Sequence, residues 1–426
     1  MHERPGTGQI AMMAPGMKIK VLKFGGTSVA DPEKIQRAAD RAVALRRAGF
    51  AVVVVVSAPG EMTDELLELA ARVVPEPDER ELDQLVSTGE QVGISLFAMA
   101  CIGRGAPAVS LTGPQAGIVA AGAHTKAQIV RIRTDRIRAH LKAGRIVTVA
   151  GFQALNPSDD VTTLGRGGSD LTAVALASAL KTGACEIFSD VKGVYTADPR
   201  VVPQARKLQR LTFEEMLELA GAGAQVMQAR SLEVARRYKV DIHVRSAFHP
   251  QNGTWIVSKR RGMKNRAMEK AYVSSLALDK GEVRLTVADV PDRPGVAARI
   301  LSALAAKAIP LDMIIQSAPS KEGVNAISFM TPRAGSSKAV AALEKVAREL
   351  KARVDLNESV AKVSAVGTGF RHHPWVAARM FETLAKAGVN IHMITASDLR
   401  ISCVVDSRHA ETALRALHKA YGLTRK

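Results

Sequence analysis

Three observations in this sequence predict an α/β fold: one domain on a mainly parallel sheet, followed by two small βαββαβ units. Between Lys18 and Ser246, β-branched runs bounded by glycine turns alternate with stretches of helical period, as in strand–helix–strand crossovers. Ala51–Val56 is apolar at every position, as a strand buried on both faces of a parallel sheet must be. Beyond the basic stretch Lys259–Lys270 the sequence repeats itself. A length of 426 residues accommodates about three domains at ~150 residues each.

Met1–Gly16 carries proline, glycine and charge without the apolar core of a signal peptide, so residues 1–16 read as a mobile tail. Lys18–Phe24 alternates and runs into Gly25-Gly26, a strand and a glycine turn. Asp31–Gly49 has helical period and Ala51–Ser57 is the buried strand. Thr63–Val74 and Asp83–Ile102 are predicted helices, parted by Pro75 and Pro77. Strands follow at Ala106–Leu111 and Ile146–Phe152, with a helix at Thr125–Leu141 between them. Asp170–Lys181 is a helix with a glycine-rich approach, and Ala184–Asp190 is a short strand. Glu214–Leu219 and Gln225–Tyr238 are helical, and Asp241–Ser246 returns as strand. Residues 17–262 thus form one domain and 263–270 a basic linker that begins at Met263.

One copy of the repeat runs Val283–Asp289, Asp292–Arg299, a helix and Ile309–Gln316; the other runs Ala361–Val366, His373–Arg379, a helix and Val389–Thr395. Each continues with a strand (Asn325–Thr331; Arg400–Asp406) and a helix (Ser337–Leu350; Ala410–Tyr421). Arg353–Leu356 supplies the last strand of the first copy, and Ala271–Leu278 that of the second, from outside it. The first unit, 280–358, is then inserted in the second, 271–279 plus 359–426. Pro-Gly or Pro-Trp opens the first helix of each copy, and a helix N-terminus offers free N–H groups to a carboxylate. That suits paired ligand-sensing modules.

The formal charge is +18, yet acidic Glu61–Glu90 and basic Lys126–Arg145 show it dispersed along solvated faces. Aromatic residues are only 4%, thin for base stacking, which weighs against a nucleic-acid partner. No uninterrupted apolar run nears the ~20 residues of a bilayer span, so no membrane partner is expected. Cys101, Cys185 and Cys403 are far apart in apolar surroundings, which fits reduced, buried thiols in a cytoplasmic protein.

Four motifs carry chemistry. Lys23-Phe24-Gly25-Gly26-Thr27-Ser28 places a strand-end lysine before two glycines, so that backbone N–H groups approach a phosphate and Lys23 supplies charge. Its spacing is neither a GxxxxGKS/T loop nor a dinucleotide fingerprint, and a plain tight turn would look similar. Thr162–Asp170 sets Arg166 among three glycines at the positive end of a helix; the guanidinium fork suits a carboxylate, while Ser169 or Asp170 also suits an N-cap. Ser189–Arg200 ends a strand in Ser-Asp and passes Tyr195 and Asp198 before Pro199, either a nucleotide shelf or ordinary turns. Ser87-Thr88-Gly89-Glu90 opens an apolar helix, and Ser87 with Glu90 reads as a capping box. No Ser/His/Asp or Cys/His arrangement and no metal-ligand cluster stands out. Phosphoryl transfer to a carboxylate needs such a profile: the nucleophile is already ionised, and the protein must bring two anions together.

Together KFGGTSV (Lys23–Val29), STGEQV (Ser87–Val92), TTLGRGGSD (Thr162–Asp170) and VYTADPR (Val194–Arg200) resemble the aspartate kinase family, and the repeat resembles its regulatory ACT domains. The resemblance runs from about Met17 to the C-terminus. It implies an amino-acid-kinase domain of three layers, two ACT (ferredoxin-like) domains, and ATP-dependent formation of 4-phospho-L-aspartate with Mg2+. This is the first step toward lysine, threonine, methionine and diaminopimelate. It places Lys23, Arg166 and Asp170 in catalysis. Lys23, Phe24, Gly25, Gly26, Asp190, Val191, Tyr195, Thr196, Ala197, Asp198, Pro199, Arg200 and Val201 would face ATP. Ser57, Thr63, Glu90, Arg166 and Ser169 would hold L-aspartate, with Glu90 on its ammonium and Arg166 on its α-carboxylate. Effector binding would fall to Asp292, Gln316, Val376, Ala377, Asn390, Ile391, Ser397 and Asp398, and the ACT domains would join at least a homodimer.

The sequence departs from the family pattern at Pro59-Gly60-Glu61 after Ser57-Ala58, and at Pro310, Ser317, Ala326 and Trp375 in the ACT units. Feedback by lysine or threonine is therefore expected with altered selectivity. A kinase for glutamate or acetylglutamate is the nearest rival, and a non-catalytic amino-acid sensor comes from a different class. No fused homoserine dehydrogenase is expected.

Overall fold

The computed structural model describes residues 18–224, 226–258, 272–319 and 323–424. The tail 1–16 and the linker 263–270, with Met263, lie outside the described residues. Two compact units emerge: residues 18–194, 207–217 and 226–258, and residues 195–206, 218–224, 272–319 and 323–424. Tyr195–Arg206 and the stretch starting at Glu218 thus belong to the second unit, not to the 17–262 domain expected from sequence contiguity.

In the first unit, β1 (Ile19–Phe24), α1 (Pro32–Arg47), β2 (Ala51–Val56), α2 (Met62–Val73), α3 (Glu79–Ile102) and β3 (Ala108–Leu111) come in order. Then come β4 (Ile118–Ala121), β5 (Gln128–Ile132), α4 (Asp135–Lys142), β6 (Ile146–Ala150), β7 (Gln153–Leu155) and β8 (Val161–Thr163). α5 (Gly168–Ala179), β9 (Ala184–Ser189), β10 (Arg210–Thr212), α6 (Phe213–Gly221, of which the residues from Glu218 on count with the second unit), α7 (Ala229–Tyr238), β11 (Asp241–Ser246) and β12 (Thr254–Val257) follow. The main sheet has eight strands in the order β10-β12-β11-β9-β1-β2-β6-β3. Its pairings are parallel except β11 with β12. A four-stranded sheet, β5-β4-β7-β8, accompanies it.

Each helix has a local cause. Asp31 caps α1 by accepting from Lys34 N at 2.8 Å, with Pro32 in the first turn where a missing N–H costs nothing. α3 starts four residues before the expected Asp83 because Asp78 is its cap, accepting from Arg80 N and Glu81 N. By length and composition α3 would cross a bilayer, yet its face of Ile94, Phe97 and Cys101 packs in the core with Val52, Val54 and Phe24. All six β2 residues are buried, as the unbroken apolar run demands. The cysteines are free and buried; burial pushes the thiols of Cys101 and Cys403 up to about 12.

The expected helix over Thr125–Leu141 is corrected. Residues 128–132 alternate as QIVRI and pair antiparallel with β4, so β-branched Ile129 and Val130 make a strand, and a helix begins only at Asp135.

The second unit holds β13 (Tyr272–Asp279), β14 (Glu282–Pro291), α8 (Val296–Ala305), β15 (Asp312–Gln316), β16 (Val324–Pro332), α9 (Ser336–Leu350) and β17 (Arg353–Asn357). β18 (Val360–Thr368), α10 (Trp375–Lys386), β19 (Ile391–Ala396), β20 (Arg400–Asp406) and α11 (Ala410–Ala420) complete it. The sheets are β15-β16-β14-β17 and β13-β18-β20-β19, so the strand ahead of the first repeat pairs inside the sheet of the second. Each sheet has its own core: Leu285, Ile300, Phe329 and Leu343 in one, Val363, Met380, Cys403 and Leu414 in the other. A smaller apolar cluster of Met313, Met330, Val360, Met393 and Val404 draws on both sheets.

Candidate active site

In the main sheet β9, β1, β2 and β6 are consecutive and parallel, so their C-terminal ends share one edge, where open α/β sheets bind ligands. Gly25-Gly26 follows β1, Ser57 follows β2, Gly151 follows β6 and Asp190 follows β9. Gly26 is tightly approached: a Cβ there would lie 2.8 Å from Ala58 O and 2.9 Å from Gly60 O, while Gly60 N donates to Gly26 O at 3.0 Å. The glycine turn and the Ser57–Gly60 loop are therefore closed against each other.

Lys23, the penultimate residue of β1, and Asp170, in the first turn of α5, form an ion pair at 2.6 Å, each side chain 12% exposed. α3 contributes Glu90, only 3% exposed. Its Oε1 accepts from Ala58 N at 3.2 Å, and Oε2 is buried with no hydrogen-bond partner among the described residues. Burial pushes this carboxyl up to about 8, against the Ala58 N–H that favours the charged form. Gly89 and Gly93 let the loop lie on α3: a Cβ would come 2.9 Å from Ala58 Cβ and 2.7 Å from Ser57 O, respectively.

The 165–169 loop turns on left-handed Gly165 (φ 74°) and Gly167 (φ 72°). Arg166 is exposed, with no side-chain partner among the described residues. Ser169 packs so closely on Gly151 that a Cβ there would meet Ser169 Oγ at 2.5 Å. Two capping expectations are corrected. Gly167 caps α5, so Ser169 and Asp170 sit inside its first turn. Ser87 lies deep within α3, its hydroxyl donating to Gln84 O at 2.9 Å, so no capping box forms with Glu90.

Lys23, Gly25, Gly26, Ser57, Glu90, Ser169 and Asp170 thus gather on one edge, while Phe24 points into the core, stacked on Phe188 at 4.8 Å. Thr63 is the second residue of α2, half-buried. Asp190 is exposed, accepting from Ser189 Oγ at 2.9 Å, and Val191 is half-buried.

Tyr195, Thr196, Ala197, Asp198, Pro199, Arg200 and Val201 belong to the second unit. Two of these side chains are turned into the protein. Thr196 is fully buried, its hydroxyl bonded to His418 Nε2 at 2.9 Å and to Arg206 N at 2.9 Å, and Ala197 is packed in a core cluster. Asp198 pairs with Arg200 at 2.7 Å.

In the second unit Asp292 and Gln316 line a cavity of about 390 Å3 at the start of α8. Asn325, missed in the sequence, lines it too: Nδ2 donates to Asp292 Oδ1 at 3.1 Å, and the buried Oδ1 has no partner among the described residues. The signal was a polar residue at an inward position of an alternating strand. Ile391 lines another cavity, of about 300 Å3, with Ser317 and Ala326. Val376 is fully buried in the core, so only its backbone is open to an effector, and Ala377 packs against that core. Asn390, Ser397 and Asp398 are exposed. In the first unit Ser28, the last residue of the first motif, keeps its Oγ buried beside the glycine turn with no hydrogen-bond partner among the described residues.

A parallel-sheet domain that gathers a lysine, two glycine turns and carboxylates at its strand ends, joined to two ACT-type sheets, defines a small-molecule kinase with a regulatory region. The amino acid kinase family profile matches residues 18–246, and the ACT domain profile matches 284–346 and 363–421. Aspartate kinase of Pseudomonas putida is 47% identical over 96% of this chain and 98% of its own length. Aspartokinase of Mycolicibacterium smegmatis is 45% identical, covering 96% and 97%. Among solved structures, Escherichia coli aspartokinase III with aspartate and ADP superposes with a TM-score of 0.76 at 26% identity, over 95% of this chain and 99% of that one. The same enzyme with lysine and aspartate gives a TM-score of 0.73. The chain belongs to the aspartate kinase family.

Proposed function

We propose that the chain transfers the γ-phosphoryl group of ATP to the side-chain carboxylate of L-aspartate, giving 4-phospho-L-aspartate and ADP. One observation carries this most directly: the Lys23–Asp170 pair at the strand ends, flanked by the Gly25-Gly26 turn and by Glu90 with an unsatisfied buried oxygen. The aspartate and ADP bound to the Escherichia coli relative support it. Glu90 receives the substrate ammonium and Arg166 its α-carboxylate. A β-carboxylate oxygen then attacks the γ-phosphorus in line as the bond to the ADP oxygen breaks. No general base is needed, since the carboxylate is ionised at neutral pH. Lys23 neutralises charge on the transferring group, and Gly25-Gly26 lets the backbone approach the phosphates.

Among the described residues no group of three His, Cys, Asp or Glu forms a metal cage. That donor set fits a Mg2+ held mainly by nucleotide phosphates and water, with Asp170 or Asp190 as the contributing carboxylate. When bound, it neutralises phosphate charge.

The reaction opens a route to lysine, threonine, methionine and diaminopimelate, and the chain works in the cytoplasm as at least a homodimer. Lysine or threonine acts at the cavity of Asp292, Gln316 and Asn325, where a carboxylate and an amide oxygen suit an ammonium and the α8 N-terminus suits a carboxylate. Of the departures from the family pattern, Ser317 and Ala326 line the other cavity, which leaves this one its polar set. Purified chain with ATP, Mg2+ and hydroxylamine tests the reading across aspartate, glutamate and acetylglutamate, with and without each effector. Hydroxamate from aspartate alone is expected, with inhibition by at least one effector. Equal product from glutamate, or none from any substrate, would overturn the assignment.

A further inference from the structure

Asp83 and Glu90 are seven residues apart on α3, two helical turns and about 10 Å along one face. Glu90 faces the site, whereas Asp83 is fully buried and belongs to none of the four motifs. Its carboxylate takes five hydrogen bonds: His124 Nδ1 at 2.8 Å, Thr125 N at 2.9 Å, Thr162 Oγ1 at 3.1 Å, and Thr163 N at 3.0 Å and Oγ1 at 2.5 Å. These donors come from two segments, the turn before β5 and the strand β8.

The same two segments are gripped from another side. Arg230, in the first turn of α7, donates Nη1 to Leu164 O and Nη2 to Ala127 O, both at 2.6 Å. Ala127 N donates to Thr163 O at 3.0 Å and ties the segments together. A buried carboxylate therefore collects the outward N–H and O–H groups while a guanidinium collects the carbonyls. Neither takes over the other's task, since a carboxylate only accepts and a guanidinium only donates. The next residue after this braced pair is Gly165, where a Cβ would lie 3.0 Å from Thr125 O, and then Arg166, which has no side-chain anchor among the described residues. The place of Arg166 is set from the base of its loop.

We infer that Asp83 and Arg230 are positioning residues for the amino-acid substrate: they fix the 162–164 strand end, and through it the place of Arg166 and Ser169 relative to Glu90. The inference rests on the proposed roles of Glu90 and Arg166. Because β1 and the Gly25-Gly26 turn are not held by either residue, the nucleotide half of the site stands apart from the brace.

The test uses the full chain carrying Asp83→Asn, Arg230→Met or both, with Arg230→Lys as the conservative variant. In each single variant the KM for aspartate rises about tenfold or more while the KM for ATP stays within about twofold. Aspartate loses its shift of the thermal unfolding midpoint, and ADP keeps its own. Arg230→Lys recovers part of the aspartate KM, and the double variant is less than additive because both residues hold one loop. Should Asp83→Asn not fold, Thr163→Val removes one donor and still raises the aspartate KM several-fold. An unchanged aspartate KM in these variants, or a parallel rise in both KM values, would overturn the inference. A wild-type chain that neither phosphorylates aspartate nor is stabilised by it instead defeats the assignment of function on which the inference rests.

Discussion

Glu90 holds one oxygen against a backbone N–H and keeps the other buried with no partner among the described residues, which is costly unless a cation arrives. Its pKa is raised by burial from 4.5 to about 8, so in the free protein the neutral form dominates near pH 7. Below the ordinary value the group is neutral folded or unfolded. As pH climbs from about 4.5 to about 8 the unfolded chain releases this proton first, so the raised pKa destabilises the free fold increasingly across that window. Substrate binding needs the ionised form, so kcat/KM for aspartate should rise with pH and level off above about 8. Glu90→Gln should flatten that rise and lower kcat/KM by about 100-fold, leaving the KM for ATP within about twofold. An undiminished rise in Glu90→Gln would assign the titration elsewhere. At this scale the sequence showed residues whose type conflicts with a packing role, such as Arg166 among glycines. It did not show Asp83 or Arg230, because their meaning lies in partners far along the chain: Asp83 and Thr163 are 80 residues apart.

The elements that were legible are the long ones with an unbroken period: α1, β2, α3 and the repeated strands and helices of the second unit. The short strands β4, β7 and β8 left no pattern to read, since three or four residues cannot display a period and their pairing is non-local. Non-local pairing alone hid the meeting of β14, β15 and β18. Glu282 and Asp312, the first residues of β14 and β15, converge on Lys362 of β18, whose fully buried ammonium donates at 2.7 and 2.6 Å. Burial alone would lower the lysine pKa; the two carboxylates outweigh it and hold the ammonium charged. Removing one member of a buried pair leaves the others uncompensated, so Lys362→Met should cost about 3–5 kcal/mol. It should be read as an earlier thermal transition of the second unit, partly restored by adding Glu282→Gln. An unaltered transition in Lys362→Met would show that the cluster contributes nothing to stability.

For the whole molecule, strand–helix alternation and an internal repeat were enough to predict the fold class, since both are set by local periods. The boundary between the units was not legible. Ala197, Val202 and Ala205 are contiguous in sequence with the first unit, yet they are buried in a core cluster with Val363, Cys403 and Leu414. No local pattern announces such a crossing. The +18 charge also loses its apparent meaning: Lys23 and Arg166 are given tasks at glycine turns, and Arg230 and Lys362 hold parts of the protein together. The central claim is that Lys23, held by Asp170 at the strand ends, stabilises phosphoryl transfer to aspartate. Single-turnover rates of ATP plus aspartate, measured for wild type and Lys23→Ala at saturating substrates, test it most directly. The account predicts a loss of at least about 100-fold in the chemical step with both substrates still bound; an undiminished rate in Lys23→Ala would contradict it.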